Sequence, residues 1–286
     1  MDLTNSELWG AMAFWLVMAA VLASLLLTVG RRALSEHTLQ AAPSRLGQLM
    51  WADLLIGLGL WIVSTMIAAA VAARFTDTLD EQTQLVATGV AGTAGSLLTL
   101  AYIFARAHLA LPRGVRQFGL RPWPRSDNWA VLGATLVAIF GTYIMLALVN
   151  IIARLFGHSP PAIQHGLLQV IAESNQPAIV WTLIGLAVVA APIIEEIIFR
   201  GLVQTVLVNQ LPHVRRWVLI LVASVLFAVV HVSIAPLALP GYIVLAVALG
   251  YIYERTASLG PPILIHALFN GLNVLAAMYL IPAGSG

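Results

Sequence analysis

Eight apolar runs, each near the length of a bilayer crossing, leave this chain few folds to adopt. A spanning helix needs about 20 largely apolar residues, and a helix satisfies its own backbone where no water can do so. The runs fall at 9–29, 51–73, 85–105, 129–153, 178–208, 217–235, 236–253 and 261–281. They predict an all-α, polytopic transmembrane helix bundle of about eight spans. Trp9, Trp51, Trp129, Trp181 and Trp217 lie near run ends, where indole rings favour the membrane interface. Gly89, Gly92, Gly95 and Ser96 recur along the third run, and small residues at such spacing let helices pack closely.

Only 9% of the 286 residues are charged and 60% are hydrophobic, against about 25% charged in soluble domains. There are no cysteines, which excludes disulfides, thiolate metal sites and cysteine nucleophiles. All 14 basic residues are arginine, and with the abundant Ala, Leu and Val this suggests a GC-rich bacterial genome and a place in the bacterial cytoplasmic membrane. The acidic start Met1-Asp2-Leu3-Thr4-Asn5-Ser6-Glu7 and the length of the first run predict a true span there instead of a cleaved signal. Arginines concentrate in alternate loops: 31, 32 and 45; then 106, 113, 116, 121 and 125; then 215 and 216; then 255. The positive-inside rule places those loops in the cytoplasm and both termini outside. The small arginine excess is thus spent on topology. Nucleic acid is not an expected partner; membrane lipids and a membrane-associated protein or peptide are. Oligomeric state has no signature in the sequence.

Two stretches between runs stand out. Residues 106–128 carry Pro112, Pro122 and Pro124 and read as a basic linker near anionic lipid. Residues 159–177 set Ile163, Leu167, Leu168, Val170 and Ile171 among polar residues, the pattern of a short interfacial helix. Pro236 and Pro240 mark a loop or a broken helix between the sixth and seventh runs. No internal repeat argues for an inverted-repeat transporter.

The chemistry concentrates in Ala191-Pro192-Ile193-Ile194-Glu195-Glu196-Ile197-Ile198-Phe199-Arg200-Gly201. An ionisable side chain at bilayer depth costs about 2.5 kcal/mol or more and signals function by default. Glu196 and Arg200 are four apart, with the acid N-terminal, the favourable order for an intrahelical ion pair. Glu195 is rotated by about 100° from Glu196, so it is left for another surface. Pro192 removes one backbone N–H and predicts a kink.

Two later runs offer partners. His231 is the sole residue between Trp217 and Tyr253 that titrates near neutral pH, and His266 and Asn270 share one face of an apolar helix. One carboxylate, two histidines and one carboxamide are a hydrolytic set. Glu195 is the candidate general base on water, and an asparagine N–H stabilises a developing oxyanion. A Glu/His/His set also suits Zn²⁺ with an open position for water. Zinc held by Glu195, His231 and His266, and water held by side chains alone, stay open alternatives at this point.

Residues 191–201, Phe227–His231, Leu249–Thr256 and His266–Asn270 resemble, in that order, the motif series of the CPBP family of intramembrane proteases. That family includes type II CAAX-prenyl endopeptidases and bacterial proteins linked to bacteriocin processing, immunity or lysostaphin resistance. The resemblance covers about residues 178–278. It divides the chain into motif-free N-terminal helices and loops, 1–177, and a protease-like catalytic region, 178–281. It implies Glu195 as general base, His231 as its partner on the water, His266 with Asn270 completing the site, and Glu196 and Arg200 in support. The family is described as metalloproteases, and a metal-free glutamate mechanism has also been argued.

The expected activity is therefore intramembrane endopeptidase cleavage of a membrane-associated protein or peptide, with prenyl-protein substrates not expected in a bacterium. The alternatives are a non-enzymatic immunity or scaffold protein, and a proton-coupled transporter using Glu195 and His231 as a relay. Helix lengths raise one tension: at about 1.5 Å per residue, His231 lies roughly 21 Å from Trp217 and His266 about 6 Å from Pro262. The two meet only with strong tilt or with shifted boundaries near 209–217 and 253–262. His37, His108, His158, His165 and His213 receive no role, and Asp53 is expected to be interfacial.

Overall fold

The computed structural model describes residues 49–110, 114–158, 166–232 and 236–280, with short pieces at 17–21, 23–24, 34–35 and 38–39. Every regular element among the described residues is helical. In chain order these are α1 (Trp51–Phe75), α2 (Glu81–Ala110), α3 (Arg125–Leu155), α4 (Gly166–Glu173), α5 (Pro177–Gln210), α6 (Arg216–Val229), α7 (Pro236–Thr256) and α8 (Gly260–Leu280). Six of them, α1, α2, α3, α5, α7 and α8, are long and apolar enough to cross a membrane. The chain is a multi-pass integral membrane protein built as a helix bundle. Most of the predicted first span, 9–29, lies outside the described residues.

The sixth predicted span is corrected. A helix through 235 was expected, but α6 ends at Val229 after 14 residues, about 21 Å of rise and too short to cross. His231 explains the stop. In a continuing helix its backbone N–H would bond Phe227 O; here the ring Nδ1 takes that carbonyl at 2.8 Å, and the backbone N–H turns to Ala228 O at 2.9 Å. Hydropathy does not change across Val229, Val230 and Val232, so the run looked continuous.

α5 is the central post. Every residue from Glu196 to Val208 is buried, as expected of a helix surrounded on all sides. Two stretches of it are widened into π-helix, Leu186–Ala190 and Ile197–Gln204. The first ends two residues before Pro192, whose ring cannot sit over the carbonyl four residues back; a widened turn accommodates it without breaking the helix. The second carries Arg200, and π turns of this kind recur at functional sites.

The linker at 106–128 is more than a basic tether. Arg106 belongs to α2 and pairs with Asp53. Asp53 is buried and also accepts from Met50 N–H at 2.8 Å and Tyr102 Oη at 3.0 Å, which locks α1 to α2. Beyond α2 a single turn, Val115–Phe118, wedges the fully buried Phe118 ring against Gly201 of α5. A Cβ at Gly201 would stand 2.2 Å from that ring. Tyr253 Oη donates to Phe118 O at 2.8 Å. Arg121 donates to the carbonyls of Thr256 and Ala257 at 3.2 and 3.1 Å, capping the C-terminal end of α7, where a cation is favoured.

Within 159–177 the interfacial reading gains a helix, α4, whose Ile171 is buried with Ile179 and Leu183 of α5 and Val274 of α8. Pro236–Ala238 is a turn of 3₁₀-helix leading into Leu239–Thr256, so the sixth and seventh runs are indeed separate.

Candidate active site

α5 carries the two glutamates on different faces, as their rotation predicts. Glu196 and Arg200 form a buried ion pair at 3.0 Å, both side chains 2% exposed or less. Arg200 also donates to Ala246 O on α7 at 3.0 Å, and its guanidinium lies 5.0 Å over the Phe227 ring, a cation–π geometry. Glu196 does more than neutralise Arg200. The same Oε1 faces Nδ1 of His266 at 2.8 Å, and a carboxylate paired with a guanidinium can only accept, so that nitrogen carries the proton.

Glu195 points elsewhere. Its Oε2 is buried with no hydrogen-bond partner. It stands 3.7 Å from Nε2 of His231 and 3.9 Å from Nε2 of His266. His231 donates Nδ1–H to Phe227 O, since a carbonyl accepts. Both rings therefore turn Nε2 toward Glu195, each with its other nitrogen already engaged. The separations are too long for direct hydrogen bonds. The tension over helix depth dissolves: both rings reach one oxygen. The boundaries near 209–217 and 253–262 move by only a few residues, and the His231 ring folds back over Phe227, at 4.8 Å between centroids.

Asn270 is engaged with the backbone of α5. One turn beyond His266, it donates Nδ2–H to Ala187 O in the first π segment of α5, at 2.8 Å. It ties α8 to α5, with one amide proton committed. Asn273 serves packing, accepting from Tyr143 Oη at 3.2 Å and donating to Phe269 O at 2.9 Å.

Two aromatic residues had no functional reading from sequence beyond their motif position or helix. Phe227 is the hub: its ring meets Phe199 at 5.1 Å, His231 at 4.8 Å and His266 at 5.8 Å. Tyr242 of α7 lies 5.3 Å from His231. Phe227 falls four residues before a histidine, a spacing that points at it; Tyr242 has no such signal.

The donor set departs from the geometry of a zinc site. Ligand atoms of a tetrahedral zinc at its usual bond lengths are about 3.4 Å apart, and the two distances from Glu195 Oε2 exceed that. Among the described residues no three His, Asp or Glu side chains are arranged to hold a metal ion. The cluster in this arrangement does not fit a resident zinc.

Residues 177–272 match the family model described as Type II CAAX prenyl endopeptidase Rce1-like. No curated protein and no solved structure matches the chain at a significant level. The matched segment opens with the first residue of α5 and closes two residues past Asn270, enclosing the whole cluster. The C-terminal third of this membrane protein is thus similar to the Rce1-like type II CAAX prenyl endopeptidases.

Proposed function

We propose that the protein is an endopeptidase that hydrolyses a peptide bond of a membrane-associated protein or peptide, using water activated by Glu195. One observation carries this reading. A buried carboxylate oxygen without a partner is faced by two imidazole Nε2 atoms, at 3.7 and 3.9 Å, whose Nδ1 atoms are held elsewhere. A water between them donates one O–H to Glu195 and the other to His231. Glu195 takes the proton as the water oxygen bonds to the substrate carbonyl carbon, and returns it to the amine when the C–N bond breaks. The free amide proton of Asn270 faces the carbonyl oxygen, while His266, its Nδ1–H held by Glu196, keeps Nε2 toward Glu195. Side chains alone hold the water in this mechanism.

The test is hydrolysis of peptides by the purified chain in detergent, with and without chelator. Glu195→Gln and His266→Ala should each lower the rate at least about 10²-fold, the usual contribution of a general base, while the protein stays folded. Chelator should leave the rate unchanged. Full activity in both variants would refute the site assignment. Loss on chelation with recovery on adding zinc would refute the side-chain-held water.

A further inference from the structure

The groups that converge on Glu195 share one chemical limitation, since each presents a lone pair. Glu195 Oε2 and the Nε2 atoms of His231 and His266 all accept. Peptide hydrolysis also needs donors for the carbonyl oxygen as it gains charge, and one such donor is worth about 10²–10³ in rate in acyl-transfer enzymes. Asn270 has given one of its two N–H groups to Ala187 O.

Tyr242 of α7 sets a phenol ring beside one of these groups. Its ring contacts the His231 ring at 5.3 Å and 55°, so the imidazole is held by both Phe227 and Tyr242. The ring is partly buried against the main core, yet among the described residues its hydroxyl makes no hydrogen bond. A phenol in apolar surroundings usually finds a partner; this one is free to donate.

The backbone of α7 is fixed where Tyr242 leaves it. Gly241 packs against α3 so closely that a Cβ would stand 2.9 Å from the Leu146 side chain. One turn on, Ala246 O accepts from Arg200, tying α7 to the helix that carries Glu195. Tyr242 is thus held from both sides of its turn.

We propose that Tyr242 is a further catalytic residue, donating its O–H to the carbonyl oxygen of the scissile bond as that oxygen becomes an oxyanion. The proton stays on the phenol, and the hydrogen bond strengthens as charge builds. This rests on the peptidase reading above.

The purified full chain would be compared with Tyr242→Phe, Tyr242→Leu and Glu195→Gln for kcat, KM, thermal midpoint and inhibition by a peptidyl aldehyde, whose hydrate mimics the tetrahedral intermediate. Tyr242→Phe keeps the ring against His231 and loses only the hydroxyl. It should lower kcat about 10²-fold, leave KM and the midpoint unchanged, and weaken the aldehyde by the same factor as kcat. Tyr242→Leu should lower kcat at least as far. Wild-type kcat in Tyr242→Phe, a loss confined to Tyr242→Leu, a kcat loss that tracks the midpoint, or unaltered aldehyde affinity would each overturn the proposal and leave Tyr242 a packing ring. Activity that survives Glu195→Gln would refute the peptidase site itself; activity abolished by Glu195→Gln but intact in Tyr242→Phe would refute only the tyrosine.

Discussion

His266 gives Nδ1 to Glu196 at 2.8 Å and turns Nε2 toward Glu195, 3.9 Å away. The adjacent glutamates of α5 therefore act on opposite nitrogens of one imidazole. One fixes the tautomer and ring plane, as an orienting carboxylate does in many histidine sites; the other is left for water. Because Glu196 also holds Arg200, the ion pair, the histidine and the reacting carboxylate form one unit.

That coupling has a thermodynamic signature. Glu196→Gln leaves Arg200 as a buried, unpaired cation, and breaking such a pair from one side costs about 3–5 kcal/mol. The thermal midpoint in detergent should fall accordingly. Adding Arg200→Met removes the stranded charge, so the double variant should melt higher than Glu196→Gln alone. Additive losses in the double-mutant cycle would mean the two are not coupled.

The contact of Phe118 with Gly201 predicts a steric exchange. Gly201→Ala puts a methyl group 2.2 Å from the ring, and overpacking of this kind costs about 1–3 kcal/mol. Gly201→Ala should lower the midpoint, and shrinking Phe118 to Leu in the same chain should restore part of the loss. Equal midpoints for Gly201→Ala and the parent would show that the loop yields freely.

The parts of this architecture that depend on local spacing were legible in the sequence. Glu196 and Arg200 pair because four residues make a helical turn, and Glu195 faces away because adjacent residues are about 100° apart. Seven of the eight apolar runs recur as helices among the described residues. What stayed hidden depends on tertiary contact. The bond from His266 to Glu196 spans 70 residues; Phe118 meets Gly201 through a loop that reads as a basic linker; Tyr242 sits in an apolar helix with nothing to mark it. The end of α6 was hidden for another reason. A side chain, His231, took over a helix carbonyl, and hydropathy does not record that.

Outside the membrane, the start of α2 carries a small pH dependence. Asp80 Oδ2 accepts from the Thr83 hydroxyl at 2.6 Å and Oδ1 from its N–H at 3.0 Å, an N-cap arrangement. These bonds hold its carboxyl below the usual value of 3.8. A carboxyl lowered on folding contributes stability above its unfolded pKa and loses it as pH falls through the folded one. Asp80→Asn should therefore lower the thermal midpoint at neutral pH, and the gap should close in acid. A gap that stays constant into acid would show that ionisation of Asp80 contributes nothing.

Asn270 separates two roles by the chemistry of its replacement. Its Nδ2–H reaches Ala187 O at 2.8 Å across the α5–α8 contact, in a π-helical segment where the backbone ladder is already widened. Asn270→Ala removes the bond and leaves the carbonyl alone, a loss of about 1 kcal/mol. Asn270→Asp keeps the shape but sets an acceptor against the carbonyl, so it should destabilise more than alanine. Both variants also lack the second amide proton assigned to the oxyanion, and both should lose peptidase activity beyond what their midpoints explain. If Asn270→Asp proves as stable as the parent, the tie to Ala187 is not what holds α8 in place. If Asn270→Ala keeps full kcat, the carbonyl oxygen draws its donors from elsewhere in the site.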